Sequence, residues 1–263
     1  MYNNIFNTDT INIFTDASVK QFPLGGNTYY VSCPGFVTVK MFNGLPFICD
    51  QGCSLLYDSS NIEGEITAIA NAIYNSAFYS SFVPKINIFS DSKISIQGIT
   101  EWIYDWIRNM EGDTFKTNSN KIVSHQNVYK SIIYMISNMN YSLNFYHIKG
   151  HVNVNDRKSF DNARRVFRDS NNMDIDNYLL SQLCYYNNYI DNLSRDYLNN
   201  INKEMIGRQR LNLYSRIYDT EQGLSNYTNK INNDKKGYEE NEIEKGNSQT
   251  NISKRNRQYH KNK

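Results

Sequence analysis

The stretch Ile86-Asn87-Ile88-Phe89-Ser90-Asp91-Ser92-Lys93 reads as a short buried strand that hands over at once to a helix. β-Branched and aromatic residues fill its first half. After Ser-Asp-Ser the apolar residues change to helical spacing: Ile94, Ile96, Ile99, Trp102, Ile103, Trp106 and Ile107. Asp91 therefore sits at the carboxyl end of a strand, where open α/β sheets build their sites. The same residue type at the same place also caps helices, so one aspartate alone is weak evidence.

A second stretch of the same kind lies near the N-terminus. Ile11-Asn12-Ile13-Phe14-Thr15-Asp16-Ala17-Ser18 is again a β-run that ends in an acid. If the two strands lie side by side, Asp16 and Asp91 share one site. Two carboxylates that close repel unless a divalent cation sits between them, which points to a magnesium site.

Working outward, Tyr29–Val31 and Phe36–Val39 predict a second strand, broken at Cys33-Pro34-Gly35, and Asn43-Gly44 predicts a hairpin turn into a third strand ending near Tyr57. Ser60 and Asn61 stand before a helix with Ile66, Ile69, Ala70, Ile73 and Ala77 on one stripe. Pro84 closes it before the Asp91 strand. A further helix around Val128–Ile136 and a last strand, Leu143–Lys149, complete the order βββαβαβ, followed by helices. The expected fold class is α/β: a five-stranded mixed sheet, an antiparallel meander plus parallel strands, flanked by helices.

Composition narrows the function classes. The chain has 263 residues, with 28 Lys and Arg against 26 Asp and Glu, a net charge of only +2. A nucleic-acid surface would have to be local. The four cysteines, Cys33, Cys49, Cys53 and Cys184, lack metal-ligand spacing and read as reduced intracellular thiols. Mean hydropathy is −0.64, and no apolar run approaches the ~20 residues of a membrane helix. Residues 1–9 read as a loose N-terminal leader, 10–218 as the folded domain and 219–263 as a disordered polar tail.

Five motifs, in order, resemble the ribonuclease H family of the type 1 cellular kind. They are Ile13-Phe14-Thr15-Asp16-Ala17-Ser18, Glu65-Ile66-Thr67-Ala68-Ile69, Ser90-Asp91-Ser92 with Ile96 to Trp106, His147-Ile148-Lys149-Gly150-His151, and Asn187-Asn188-Tyr189-Ile190-Asp191-Asn192-Leu193-Ser194-Arg195. The resemblance implies that Asp16, Glu65, Asp91 and Asp191 are catalytic carboxylates holding two Mg²⁺ ions, with Mn²⁺ a possible substitute. It implies that His151, on a loop, aids proton transfer or product release. Ser60, Asn61, Trp102, Trp106 and Asn187 are the implied substrate-binding residues. Glu63 is the rival to Glu65. Asp161 is the rival to Asp191: it lies ten residues after His151, but Arg157 precedes it by four where Asn187 precedes Asp191. Choosing Asp191 makes residues 152–186 an insertion carrying Arg157, Lys158, Arg164, Arg165 and Arg168. The glycine-rich turn expected after the first Asp is replaced by Val19-Lys20-Gln21-Phe22-Pro23.

The implied activity is endonucleolytic hydrolysis of the RNA strand of RNA–DNA hybrids, leaving 5′-phosphate and 3′-hydroxyl ends. The alternatives are a DNA nuclease or resolvase of the same fold, and a non-catalytic nucleic-acid-binding module. The expected setting is a monomer in the cytoplasm of a bacterium, or of a host cell if the protein is a phage's, with no membrane partner.

Overall fold

The computed structural model describes residues 5–24, 27–79 and 85–201. Five strands form one mixed sheet in the order β3-β2-β1-β5-β6, and the two-residue β4 pairs with β2. The strands are β1 (Thr10–Leu24), β2 (Asn27–Phe42), β3 (Leu45–Cys53), β4 (Leu56–Tyr57), β5 (Lys85–Ser90) and β6 (Ser142–His147). β1, β2 and β3 are antiparallel neighbours, whereas β5 lies parallel to both β1 and β6. This is the mixed sheet the sequence predicts.

The helices are α1 (Asn61–Ser76), α2 (Lys93–Gln97), α3 (Ile103–Arg108), α4 (Gln126–Ser137), α5 (Arg157–Asn171) and α6 (Asn177–Asn199). A π-helical turn, Gly98–Trp102, joins α2 to α3, so the single predicted helix is one helical run with a wide turn inside it. The sheet's alternation sorts its side chains onto two cores. Ile11, Ile13, Ile86 and Ile88 face α1, α3 and α4. Phe14, Val37, Val39 and Phe89 face α5 and α6. On that second face Phe14 stacks on Phe89 at 4.8 Å between centroids, and Phe89 stacks on Tyr146 at 5.1 Å.

Several boundaries differ from expectation. β1 does not stop near Thr15 but runs on to Leu24. Its second half pairs with β2 and buries Phe22 with Val31, Cys33 and Leu55 in a third, small core. β2 is unbroken at Pro34. That proline lies where the outer neighbour of β2 changes from β3 to β4, and its carbonyl accepts a hydrogen bond from Ser54 N–H at 3.0 Å. A residue without an N–H is tolerated at such an interruption. Asn43 and Gly44 both take positive φ, as the predicted tight hairpin requires.

The N-terminal leader is not loose where it is described. Ile5 and Phe6 are buried, and the Phe6 ring lies against Phe14, Phe89 and Tyr186. The Ile5 carbonyl accepts from Asn87 Nδ2, one end of a buried ladder in which Asn87 also bonds Asn12 and Asn144 at 2.9 and 3.0 Å. A buried amide needs its partners, and the leader supplies one. The expected tail, and any continuation of α6 toward Tyr218, fall outside the described residues. Among the described residues no helix is long and apolar enough to cross a membrane.

Candidate active site

The register of β1 and β5 sets the site. Their parallel pairing ends at Thr15 opposite Ser90. The next residues are Asp16 and Asp91. At that point β5 turns into α2 while β1 continues beside β2. Asp16 is thus inside a long strand rather than at its end, and the turn of its neighbour opens the space beside it.

α1 brings Glu65 to the same place. Ser60 caps the helix, its hydroxyl accepting from Glu63 N–H at 3.1 Å. Gly64 lets the first turn approach the sheet: a Cβ there would lie 2.0 Å from Ser32 Oγ. Glu65 is buried as a result, whereas Glu63 faces His125, with 3.7 Å between Glu63 Oε2 and His125 Nδ1. Glu65, and not Glu63, thus lies beside Asp16 and Asp91.

Asp16, Glu65 and Asp91 each offer an oxygen, and these oxygens lie within 4.8 Å of one another. Burial and the neighbouring Asp91 and Asp191 push the Asp16 carboxyl up to about 8, against a hydrogen bond from Ala17 N–H that lowers it. Burial and the charges of Asp16 and Asp91 hold Glu65 well above the usual carboxylate range. Burial also raises Asp91, with Asn187 and His151 pulling the other way. Glu65 Oε2 is buried and has no hydrogen-bond partner among the described residues. Three crowded carboxylates with an orphaned oxygen match the hard-oxygen donor set that a divalent cation takes.

α6 contributes the fourth acid. Asp191 and Arg195 are four residues apart and share one helix face. Arg195 Nη2 reaches both Asp191 oxygens at 2.6 and 2.5 Å. His151 Nδ1 lies 3.2 Å from Asp191 Oδ2. A cleft of about 680 Å³ joins these groups, lined by Asp16, Glu65, Asp91, His151 and Asp191, with Asn61 and Arg195 at its walls. Asp161 is elsewhere. It sits on the outer side of α5 with its side chain 64% exposed and Arg157 Nε at 3.7 Å.

The loop after β6 is held close to Asp91. A Cβ on Gly150 would lie 2.1 Å from Asp91 Oδ2, so only glycine fits there. The next residue, His151, takes φ +52°, and its ring is 70% exposed. His147 is the half-buried member of the pair. Burial lowers its basicity, so it is neutral. Its Nε2 lies 3.2 Å from the Asp91 carbonyl, which can only accept, so Nδ1 is left to accept from Ser170 Oγ–H at 2.9 Å. His147 is thereby a hydrogen-bonding residue of the wall behind Asp91.

Of the implied substrate-binding residues, Ser60 and Asn61 stand at the N-terminus of α1, beside or in the cleft. Trp102 is partly exposed. Trp106 is not a surface residue: it is buried against Tyr129, edge to face at 4.8 Å, because position 106 falls on the inner stripe of α3. Asn187 is also buried, at 1%, next to Asp91 rather than in the open groove. The spacing of a motif shows the face of a helix but not its depth. Arg195 carried no assigned role in the sequence reading, although an Arg four residues after an Asp is the signal that finds it.

The sequence matches the RNase H family over residues 8–165. That stretch spans Asp16, Glu65, Asp91, His151 and Asp161, and it stops before Asp191. A search of curated proteins returns no match. Among solved structures, the chain is similar to the foamy viral protease-reverse transcriptase in complex with dsDNA, at 20% identity and TM-score 0.44, covering 62% of this chain and 95% of that one. It is similar to the same viral protein in complex with RNA/DNA hybrid, at 18% identity and TM-score 0.44, covering 64% of this chain but only 20% of that one. It is also similar to RNase H1 from the halophilic archaeon Halobacterium salinarum NRC-1, at 13% identity and TM-score 0.36, covering 60% of this chain and 93% of that one. At such scores the individual structures carry no argument, and the assignment rests on the sequence match over more than half of the chain: this protein belongs to the ribonuclease H family.

Proposed function

We propose that the protein is an endoribonuclease that hydrolyses the RNA strand of RNA–DNA hybrids to 5′-phosphate and 3′-hydroxyl ends. The observation that carries this reading is the convergence of Asp16, Glu65, Asp91 and Asp191, from two strands and two helices, on one cleft. In this proposal the four carboxylates hold two Mg²⁺ ions, for which Mn²⁺ can substitute. Bound there, the ions supply an activated water and stabilise the leaving 3′ oxygen.

The chain's own residues prepare that chemistry. Burial keeps Asp16 and Glu65 poorly ionised until a cation neutralises them, so cation entry displaces protons. Arg195 balances the charge of Asp191, and His151 Nδ1 lies beside the same carboxylate. The exposed His151 ring is placed to take or give a proton at the edge of the cleft. Asn61 and Ile62, at the start of α1, line the groove where the substrate backbone would run. RNA is told from DNA by its 2′-hydroxyls and duplex shape.

The test is cleavage of an end-labelled RNA–DNA hybrid in Mg²⁺, run beside duplex DNA, single-stranded RNA and a four-way DNA junction. The expected result is cleavage of the hybrid alone, in its RNA strand, abolished in Asp16→Asn. Cleavage of the junction or duplex DNA instead would replace this reading with a DNA nuclease. No cleavage by the wild type would leave a binding module.

A further inference from the structure

Helix α5 lies within residues 152–186, the stretch the choice of Asp191 makes an insertion, and its charge is distributed on one side. It bears Arg157, Lys158, Arg164, Arg165 and Arg168 against Asp161 and Asp169. Its buried positions are Ala163 and Phe167, with Phe160 packed beside them. At 3.6 residues per turn the five cations fall within about a third of the helix circumference, on one side of that buried stripe. The opposite flank carries Ser159, Asn162 and Val166. The cationic side contains Asp161, paired with Arg157, and Asp169, paired with Arg168. Of the remaining three, Lys158 and Arg165 are exposed and Arg164 is half-buried, in a chain whose whole net charge is +2.

Both ends of this helix are tied to the cleft. At its N-terminal end, Arg157 follows His151 by six residues, and the intervening Val152 carbonyl accepts from Asn188 Nδ2 at 2.9 Å, one turn before Asp191 on α6. At its C-terminal end, Asn171 exchanges two hydrogen bonds with the His147 backbone, at 3.0 and 2.8 Å. Ser170 meets the His147 ring, which in turn meets the Asp91 carbonyl. Asn171 thereby closes the free edge of β6 as another strand would. The helix is a strap held at two points beside the site; Arg157, Lys158, Arg165 and Arg168 are exposed on it, whereas Arg164 is half-buried with its Nε enclosed. The Arg157 side chain is 95% exposed.

We infer that the cationic flank of α5 binds the phosphate backbone of the nucleic-acid duplex next to the cleavage site. Arg164 and Arg168 lie about one helical turn, or ~5.4 Å, apart, and Arg157 lies two turns before Arg164, so the flank presents its guanidinium groups along the helix axis as a phosphate backbone requires. Such contacts position the duplex and carry no sequence information. They deepen affinity without touching the reacting atoms. This inference rests on the proposed hybrid substrate, and its test separates the two.

The Arg157→Gln/Arg165→Gln double variant is compared with Lys40→Gln/Lys85→Gln, which removes the same charge from the opposite end of the sheet, where Lys40 pairs with Ile11 and Lys85 with Thr10. Binding of a fluorescent RNA–DNA hybrid is titrated from 50 to 300 mM salt with Ca²⁺ in place of Mg²⁺, and cleavage kinetics are measured in Mg²⁺. The α5 variant is expected to lose about tenfold or more in affinity at 0.1 M salt, with a salt slope smaller by about 1.8, two released counterions' worth. Its KM rises while kcat at saturating hybrid holds, and the control variant matches wild type. Equal slopes and equal KM for wild type and the α5 variant would overturn the inference. So would an equal loss in the control, which marks a net-charge effect. Failure of the wild type to bind or cut the hybrid, with the same duplex DNA bound through Arg157 and Arg165, would overturn the proposed substrate and leave the α5 surface standing.

Discussion

Helices α5 and α6 carry the same local pattern and put it to different ends. Each has an aspartate with an arginine four residues away: Asp161 with Arg157, and Asp191 with Arg195. On α5 the pair is solvated, and its separation of 3.7 Å marks the weak kind of surface ion pair. On α6 the arginine reaches both carboxylate oxygens, and Asp191 is 9% exposed. The cause lies in what flanks each acid. Ile190, Asn187 and Ser194 are buried, so α6 presses the Asp191 face against β1 and β2. α5 buries Ala163 and Phe167 against the sheet edge and turns Asp161 outward. A carboxylate becomes useful when the packing of its neighbours carries it into a shared, desolvated space.

That difference is open to direct attack. The largest effect is expected from Asp191→Asn, which should lower hybrid cleavage by about three orders of magnitude or more, while Asp161→Asn stays within twofold of wild type. A dead Asp161→Asn with an active Asp191→Asn would reverse the roles of the two helices. Next comes Gly150→Ala. Its new methyl would meet Asp91 Oδ2, so a stability loss of about 1–3 kcal/mol in urea unfolding should accompany a fall in activity. Gly112→Ala makes a control, because a Cβ there meets nothing, although its positive φ carries a smaller cost.

Smaller again is the effect of the β6 edge closure. Asn171→Leu removes two hydrogen bonds to His147 and should cost about 1–2 kcal/mol. If Asn171 positions the site through His147, the variant also weakens the Mg²⁺-induced rise in Tm. If it only packs, that rise is unchanged. The smallest effect is a slope. Asp16 and Glu65 have folded-state values raised above their unfolded ones, so the metal-free folded state binds more protons than the unfolded chain. Stability from these groups is full below about pH 4 and is lost as pH rises toward about 8. Asp16→Asn should flatten that decline, raising the metal-free Tm at pH 8 by about 5 °C and changing it little at pH 4. An unchanged slope would mean that Asp16 is not held protonated.

How much of this was legible in the sequence follows from the range of the forces involved. Asp16 and Asp91 were legible because each ends a β-run in the sequence, whereas Glu65 and His151 were marked only by the resemblance to the ribonuclease H family. Asp191 had to be chosen between two similar helical motifs, and the register of its buried neighbours separates them only in three dimensions. Depth was the weak point. Trp106 and Asn187 share a face with functional positions, yet both are buried. Ile5 and Phe6 are two apolar residues among asparagines, too few to signal a core segment, but the aromatic stack and the asparagine ladder recruit them. The second half of β1 was hidden by Lys20, Gln21 and Pro23, where pairing with β2 outweighs local preference. The clamp of His147 by Ser170 and Asn171 spans 23 and 24 residues and has no sequence signature.

The most direct test of the central claim, that these buried acids form one cation site, is calorimetry of Mg²⁺ binding at pH 7 in buffers of different ionisation enthalpy. A carboxyl at about 8 is mostly protonated at that pH. The account predicts that Mg²⁺ binding releases about one proton or more per protein, and that the release falls in Asp16→Asn and is unchanged in Asp161→Asn. Binding with no proton release, or release undiminished in Asp16→Asn, would contradict it.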